Sequence, residues 1–430
     1  MDVNRKTAYN TLIEIEKNQS YSNLELNRQI DNYNPDSPSF VRELVYGVIE
    51  NRVYLDYILD QLVDKGLKSI RKAPLTLLRM GLYQIMFMDS VPEYAAVDQT
   101  VKMARRLCYG RDGFINAVLR NFLYKQKNGL IEMPDFNEDP IRYLSIKHSY
   151  APWIAELWVE QYGVERAEEL MIASNSKPPL CIRVNLLKTD LKTLEDILIS
   201  KGFQVRRGTL SRRVLFVKGS NLLDLPEFEQ GLFSVQDESS VVSVETLMPK
   251  AGDVVLDICA APGGKTMAAA EMMNNIGEIK AFDIYPHKLE LIAKEANRLG
   301  HTIITTVEGD GTIFNKNLVE TADRVIVDAP CSGLGVIRRK PEIKYRELED
   351  NGRELGEKQL EMLELSSKYV KKGGFLLYST CTINKIENTD VVSNFLGNHN
   401  EYELVKSRQL LPGIDETDGF FICKMRKKNN

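Results

Sequence analysis

Residues 251–266, AGDVVLDICAAPGGKT, constrain the fold more than any other stretch of the chain. A short apolar run, residues 254–258, drives into the small-residue turn Ala260-Ala261-Pro262-Gly263-Gly264, and a helical pattern opens at Lys265. A continuous apolar run with a glycine-rich stop is the pattern of a buried parallel strand that ends at a ligand crevice. Glycines at such a stop let a ligand approach the backbone and leave N–H groups pointing at it. The fragment Gly264-Lys265-Thr266 is not the tail of a triphosphate-binding loop. That motif needs a glycine five positions before its Gly-Lys pair, and Cys259 stands there. The dinucleotide pattern GxGxxG is absent as well.

The acids downstream narrow the ligand. Asp283 closes the apolar run 279–282, about 20 residues after the glycines, where a ribose-binding carboxylate belongs. Asp310 follows the run 303–307, inside Glu308-Gly309-Asp310. Carboxylates repeated at strand ends would repel a triphosphate, and they favour the cationic donor S-adenosylmethionine.

Strands and helices continue to alternate. Residues 324–327 end at Asp328, a helix is predicted over 356–370, and 375–378 end at Ser379. The pattern predicts a doubly wound sheet whose strand ends converge on one crevice, closed at its edge by an antiparallel pair at 402–404 and 420–425. Residues 1–128 read instead as all helix. Leu44, Val45 and Val48, then Leu55, Ile58, Leu59 and Leu62, repeat at the spacing of one buried helical face. Further helices are predicted over 75–88, 95–107 and 114–123, which makes a small bundle. Lys102, Arg105, Arg106 and Arg120 are its candidates for RNA contact, against the plainer reading of solvated charge. Residues 129–140 carry Gly129, Pro134 and Pro140 among acids and read as a linker. A mixed strand–helix–strand region then runs to about 240. The expected organisation is therefore a helical bundle over 1–128, a linker with a small α/β subdomain over 129–240, and an α/β domain over 241–430.

With a formal charge of −4 on 430 residues there is no bulk basic signature, so a nucleic-acid partner must be met by local patches such as 206–213 or 338–340. The start, MDVNRKTAYN, has no apolar core of a signal peptide, and the most apolar stretch, 75–88, is interrupted by Arg79 and Gln84 and is too short for a bilayer. Six cysteines without CxxC spacing fit a reducing cytoplasm, and four scattered histidines make no metal motif. No metal and no membrane are expected, and nothing demands more than a monomer.

Two cysteines fall where this architecture puts chemistry. Cys331 lies three residues after Asp328, in Asp328-Ala329-Pro330-Cys331-Ser332-Gly333, and Cys381 follows the next predicted strand in Tyr378-Ser379-Thr380-Cys381. Cys108, Cys181 and Cys423 read as small buried hydrophobes, and Cys259 as a packing or backbone contributor to the glycine loop. A methyl donor beside two thiols points to a pyrimidine. Carbon C5 of that ring is a poor nucleophile until a thiolate adds to C6 and converts C5–C6 into an enamine-like pair. Charge developing on N3 and O2 then needs a proton or hydrogen bond, for which Asp328 is the candidate. The attacking thiol, ordinarily titrating near ~8.5, needs a lowered pKa or a nearby base, and Lys265 is a candidate for that influence. On the residues alone, which cysteine attacks stays open.

Two resemblances add to this reading. Arg79-Met80-Gly81-Leu82-Tyr83, Val91-Pro92-Glu93-Tyr94-Ala95-Ala96-Val97 and Phe114-Ile115-Asn116-Ala117-Val118-Leu119 resemble the landmarks of NusB-like RNA-binding domains over roughly the first 130 residues. Residues 257–266, with Asp328-Ala329-Pro330-Cys331-Ser332-Gly333 and Tyr378-Ser379-Thr380-Cys381-Thr382, resemble the RNA cytosine-5 methyltransferases over roughly 141–430, and the whole chain resembles the bacterial 16S ribosomal RNA members of that family. Arg338-Arg339-Lys340-Pro341 and Asp418-Gly419-Phe420-Phe421 also match. The resemblance implies a NusB-like bundle, a small RNA-contacting α/β subdomain and a Rossmann-like class I methyltransferase domain acting on 16S rRNA with S-adenosylmethionine. It implies Cys381 as the nucleophile and Cys331 as the group that helps resolve the adduct. Cofactor contacts carry over to Cys259, Ala260, Ala261, Pro262, Gly263, Gly264 and Lys265, with Asp283 on the ribose, Asp310 near the adenine, and Asp328 shared between cofactor site and cytosine edge.

Overall fold

The helical part forms for reasons visible along the chain. Ser37 accepts a hydrogen bond from the Phe40 N–H and Pro38 opens the helix Pro38–Glu50, which buries Val41, Leu44, Val45 and Val48 on one face. Asn51 interrupts the pattern, and the helix Arg52–Asp60 continues the same apolar face with Leu55, Ile58 and Leu59. The helix Lys72–Phe87 buries residues on nearly every side, Leu77, Leu78, Met80 and Leu82 among them, and forms the centre of this core. In the computed structural model, residues 2–18 and 22–429 are described.

Two compact units result. The first comprises Met1–Asn175 together with Ile337–Glu347. The second segment is far away in sequence and is built into the helical core as a strap. Glu342 accepts hydrogen bonds from the Ser22 N–H at 3.3 Å and the Ser22 hydroxyl at 2.7 Å. Lys344 is fully buried and donates to the Glu50 carbonyl at 3.1 Å and to Asn175 Oδ1 at 2.6 Å. Burial pushes this ammonium down to about 7.

The second unit, Ser176–Val336 with Leu348–Asn430, holds two sheets. Strands β1 (Leu180–Val184), β2 (Gln204–Arg207), β3 (Val214–Lys218) and β4 (Phe233–Val235) form a small antiparallel sheet in the order β2-β3-β1-β4. The main sheet contains β5 (Val254–Asp257), β6 (Glu278–Asp283), β7 (Ile304–Glu308), β8 (Ala322–Asp328), β9 (Val370–Thr380), β10 (Tyr402–Leu410) and β11 (Phe420–Lys427). Their order is β10-β11-β9-β8-β5-β6-β7. The five strands from β9 to β7 are parallel, and β11 and β10 close one edge antiparallel, as their alternation predicts.

The chain winds outward from β5 to β6 and β7, then crosses to the other side of β5 for β8 and β9. The carboxyl ends beside β5 are therefore the switch point, where an open α/β sheet leaves a crevice. Helices cover both faces. One apolar core packs Leu256, Val325, Val327, Leu376 and Tyr378 against Met362, Leu363 and Phe395, and another packs Val255, Ile326 and Leu377 against Val244, Leu247 and Ala269.

Candidate active site

The glycine loop leaves β5 at Asp257 and enters the helix Gly264–Met272 through Gly263, whose φ of 103° lies in the left-handed region open to glycine. Asp257 is 1% exposed. Thr266 donates to one of its oxygens at 2.7 Å, while the other is buried without a hydrogen-bond partner. Burial pushes this carboxyl up to about 7. The small sheet braces the loop from outside. Arg183 on β1, 1% exposed, donates to the Gly264 carbonyl at 3.0 Å and pairs with the buried Glu271 at 2.9 Å.

Asp283 ends β6 and accepts the Tyr285 N–H at 3.0 Å. Asp310, beyond β7, accepts the Thr312 hydroxyl at 2.7 Å and N–H at 2.9 Å, and these bonds hold its carboxyl below the usual range. A cavity of about 560 Å³ lies at this end of the sheet, with Ile258, Phe282, Val307, Phe314 and Tyr369 as apolar wall and Asp310 at its edge. Cys259 marks the convergence of these acids. Its thiol is pushed far up by burial first and then by the charges of Asp257, Asp328, Asp283 and Asp310. Donating to the Met362 sulfur at 3.4 Å, Cys259 packs against the core beneath the loop.

The strand pair β8 and β9 sets the remaining geometry. Asp328 at the end of β8 lies opposite Ser379 in the parallel register, and the Ser379 hydroxyl donates to it at 2.8 Å. Lys265 Nζ lies 2.7 Å from the other carboxylate oxygen and 4.9 Å from the Phe420 ring centroid. Lys265 is thus engaged with Asp328. The loops that follow these neighbouring strands carry Cys331 and Cys381, and their sulfurs are 3.3 Å apart as thiols. The hydrogen bond to Cys381, with burial and nearby charge added, pushes the Cys331 thiol well above its ordinary value.

Gly335 fastens the two loops. Its N–H donates to the Cys381 carbonyl at 3.0 Å, and its own carbonyl accepts the Gly419 N–H at 2.8 Å. A Cβ at Gly335 would stand 1.9 Å from the Gly419 oxygen, so only glycine fits this crossing. The structure thus brings Cys259, Asp283, Asp310, Asp328, Lys265, Cys331 and Cys381 to one end of one sheet. Sequence reasoning missed three buried polar residues that shape the site: Asp257, Arg183 and Glu387. Asp257 carried a signal, because an acid directly closing an apolar run was already the criterion for Asp283. Arg183 and Glu387 carried none.

The arrangement fits an adenosyl sulfonium ligand. A buried carboxyl oxygen without a partner, a carboxylate at the next strand end and an apolar slot beside a third acid suit a cation, ribose hydroxyls and a flat base in turn. Among the described residues, no group of three or more His, Cys, Asp or Glu side chains could hold a metal ion, and no helix is long and apolar enough to cross a membrane.

Comparison with known proteins agrees. The family described as 16S rRNA methyltransferase RsmB/F matches residues 244–426, the NusB family matches 2–124, and the ferredoxin-like domain of RsmF/B-like methyltransferases matches 150–221. A protein of Bacillus subtilis (strain 168) named "Probable ribosomal RNA small subunit methyltransferase B" is 38% identical over 99% of this chain and 98% of its own. This chain belongs to the RsmB/F family of 16S rRNA methyltransferases. Solved structures extend the likeness. PH0851 superposes with a TM-score of 0.81 at 26% identity, covering 98% of both chains. A methyltransferase homolog protein from Pyrococcus horikoshii gives 0.60 at 31% identity, over 67% of this chain and 99% of its own. Family membership makes the chain an S-adenosylmethionine-dependent rRNA methyltransferase with a NusB-type helical domain, a ferredoxin-like subdomain and a Rossmann-like domain.

Proposed function

We propose that this protein transfers the methyl group of S-adenosylmethionine to C5 of a cytosine in 16S rRNA through a covalent bond between Cys381 and C6. The observation that carries this reading is the 3.3 Å separation of the Cys331 and Cys381 sulfurs beside Asp328 at the switch point of the sheet. Two thiols this close cannot both ionise without strong repulsion. Cys381 is the attacking sulfur by the family motif, and the upward displacement of the Cys331 thiol supports that division.

The bound cofactor supplies an electrophilic methyl carbon on a sulfonium. Asp257, Asp283 and Asp310, with the loop from Cys259 to Lys265, hold that cofactor. The Cys381 thiolate forms a bond to C6, and the C5–C6 electrons become available at C5. C5 is then the atom that would take the methyl group the cofactor supplies. The C5 proton then leaves to a base, and the electrons of the C5–H bond expel the Cys381 thiolate and restore the ring. Cys331 assists this release. Asp328, held by Lys265 and the Ser379 hydroxyl, is the acid that meets the cytosine edge in this reading.

RNA contact by the helical unit belongs to the same reading. Arg105 and Arg120 line a groove of about 530 Å³ together with the exposed Tyr94, although Arg105 is paired with Asp112 and Lys102 with Asp98. The enzyme acts in this reading as a cytoplasmic monomer.

The test uses two variants with tritiated S-adenosylmethionine and 16S rRNA. Cys381→Ala is expected to lose turnover while cofactor affinity stays within a few-fold. Cys331→Ala is expected to accumulate a protein–RNA band on a denaturing gel. Methylation by Cys381→Ala, or a band that never forms with Cys331→Ala, refutes the division of labour.

A further inference from the structure

Glu387 lies beyond Cys381, in the short 3₁₀ turn Lys385–Glu387, and in a bare sequence it is one more acid among polar residues. In the structure it is fully buried. Its carboxylate collects four donors from three separate parts of the chain. The Ser332 N–H and hydroxyl, next to Cys331, donate at 2.8 and 2.5 Å. Asn384 Nδ2, three residues beyond Cys381, donates at 3.1 Å. Gln359 Nε2, on the helix Arg353–Ser367, donates at 3.1 Å and also reaches the Pro330 carbonyl at 2.9 Å.

The two cysteine loops are stitched to each other through the same centre. Ser332 Oγ and Thr382 Oγ1 are 2.8 Å apart, and the Tyr378 hydroxyl on β9 bridges Gln359 Oε1 and the Glu387 carbonyl at 3.1 and 2.6 Å. All of these partners are neutral. Among the described residues no cation compensates this carboxylate, although burying a charge without one is costly. Two donors reach each of its oxygens, which a carboxylate can accept and an amide cannot, and two of those donors come from Ser332 beside Cys331.

We propose that Glu387 is a positioning residue that locks the Cys331 and Cys381 loops at reacting distance and, through its uncompensated charge, keeps Cys331 in the neutral thiol form. The proposal rests on the covalent cysteine reading above. It gives each part of the network a task. Four hydrogen bonds fix where the sulfurs sit, and a negative charge at Glu387 adds to the Cys381 hydrogen bond, burial and the Cys381 sulfur, which come first in raising the Cys331 thiol. The attacking sulfur is then Cys381 alone throughout the cycle.

The test compares wild type with Glu387→Gln, which keeps the size of the side chain, removes the charge and replaces one of the two accepting oxygens by an NH2 that faces donors. Each protein is alkylated with iodoacetamide across a pH series, and labelling of Cys331 is followed by peptide mass spectrometry in a Cys381→Ala background. Removing the charge is expected to move the midpoint for Cys331 down by about one pH unit or more. In the otherwise native chain, kcat is expected to fall about 100-fold with KM for RNA little changed, because a displacement near 1 Å costs that much. An unchanged midpoint with unchanged turnover overturns the proposal. Should Glu387→Gln fail to fold, Ser332→Ala removes two of the contacts with the carboxylate retained. It is then expected to lower kcat with the Cys331 midpoint unmoved, and wild-type turnover overturns the proposal. The Cys331→Ala gel separates the two levels: no covalent band there sinks the cysteine mechanism itself, whereas a normal band with an inert Glu387→Gln exchange sinks only the role of Glu387.

Discussion

Gly335→Ala asks whether the distance between the cysteine loops is set by backbone contact. The added Cβ would stand 1.9 Å from the Gly419 oxygen, 2.5 Å from the Gly419 carbonyl carbon and 2.9 Å from the Cys381 oxygen. All three are main-chain atoms, so no side chain can swing aside. Bringing the first contact from 1.9 Å out to the 3.0 Å that real Cβ atoms respect requires a backbone shift of about 1 Å. That movement strains two hydrogen bonds, Gly335 N–H to the Cys381 carbonyl and Gly419 N–H to the Gly335 carbonyl. At about 1 kcal/mol for each bond and about 1–3 kcal/mol for overpacking, the cost to folding is about 3–5 kcal/mol. The cost to catalysis follows from displacing Cys331 against Cys381, about 100-fold in kcat.

Cofactor binding is expected to survive, since Cys259 to Gly264, Asp283 and Asp310 follow β5, β6 and β7, and only Lys265 reaches toward this crossing, through the Phe420 ring. The assay measures single-turnover methylation and S-adenosylmethionine affinity side by side, with Gly397→Ala as control. A Cβ at Gly397 meets nothing within 4 Å, so that exchange within the helix Thr389–Asn398 is expected to stabilise by about 0.4–1 kcal/mol and leave turnover alone. A Gly335→Ala protein that turns over at the wild-type rate refutes the reasoning. Equal losses of cofactor affinity and turnover refute it too.

Two further predictions concern buried charge. Asp257 has its carboxyl raised to about 7 in the fold, above an unfolded value near ~3.9, so the folded form holds a proton that the unfolded chain releases. Stability contributed by this group is present below the ordinary carboxylate range and is lost as pH rises toward 7, by up to about 4 kcal/mol. Asp257→Asn is expected to flatten that slope in cofactor-free urea melts between pH 4 and 8, and an unaltered slope contradicts the assignment. Arg183→Met strands Glu271 without its cation and is expected to cost about 3–5 kcal/mol, whereas Arg183→Met with Glu271→Met recovers much of the loss. A double variant no more stable than the single one shows that the pair is not the source.

The doubly wound class of the main sheet, its antiparallel edge and the ends of its strands were legible because they follow from local pattern, whereas the strand order came only from the fold. An apolar run of four to six residues, stopped by glycine or by an acid, states where a buried strand ends. Asp283, Asp310, Asp328 and Cys331 each follow such a stop. Cys381 could be set beside Cys331 for the same reason, since consecutive parallel strands joined by a helix tend to be neighbours. Lys265 was legible as a site residue, yet its partner was not. Sequence reasoning offered it to the thiols or the cofactor, and the fold pairs it with Asp328 at 2.7 Å.

By itself, then, the amino-acid order determined the elements and the positions where each breaks, because those follow from hydrophobic period, capping and glycine along a continuous stretch of chain. Tertiary structure alone decided the charges. Arg183, Glu387 and Lys344 are polar residues that a linear reading places in water, and each is buried because the groups that satisfy it come from elements 88, 55 and 294 positions away. The same holds for Ile337–Glu347, which leaves the methyltransferase half of the chain and seats Glu342 on Ser22 across 320 positions. Burial of a polar group is a property of its neighbours in space, and no period along the chain records it.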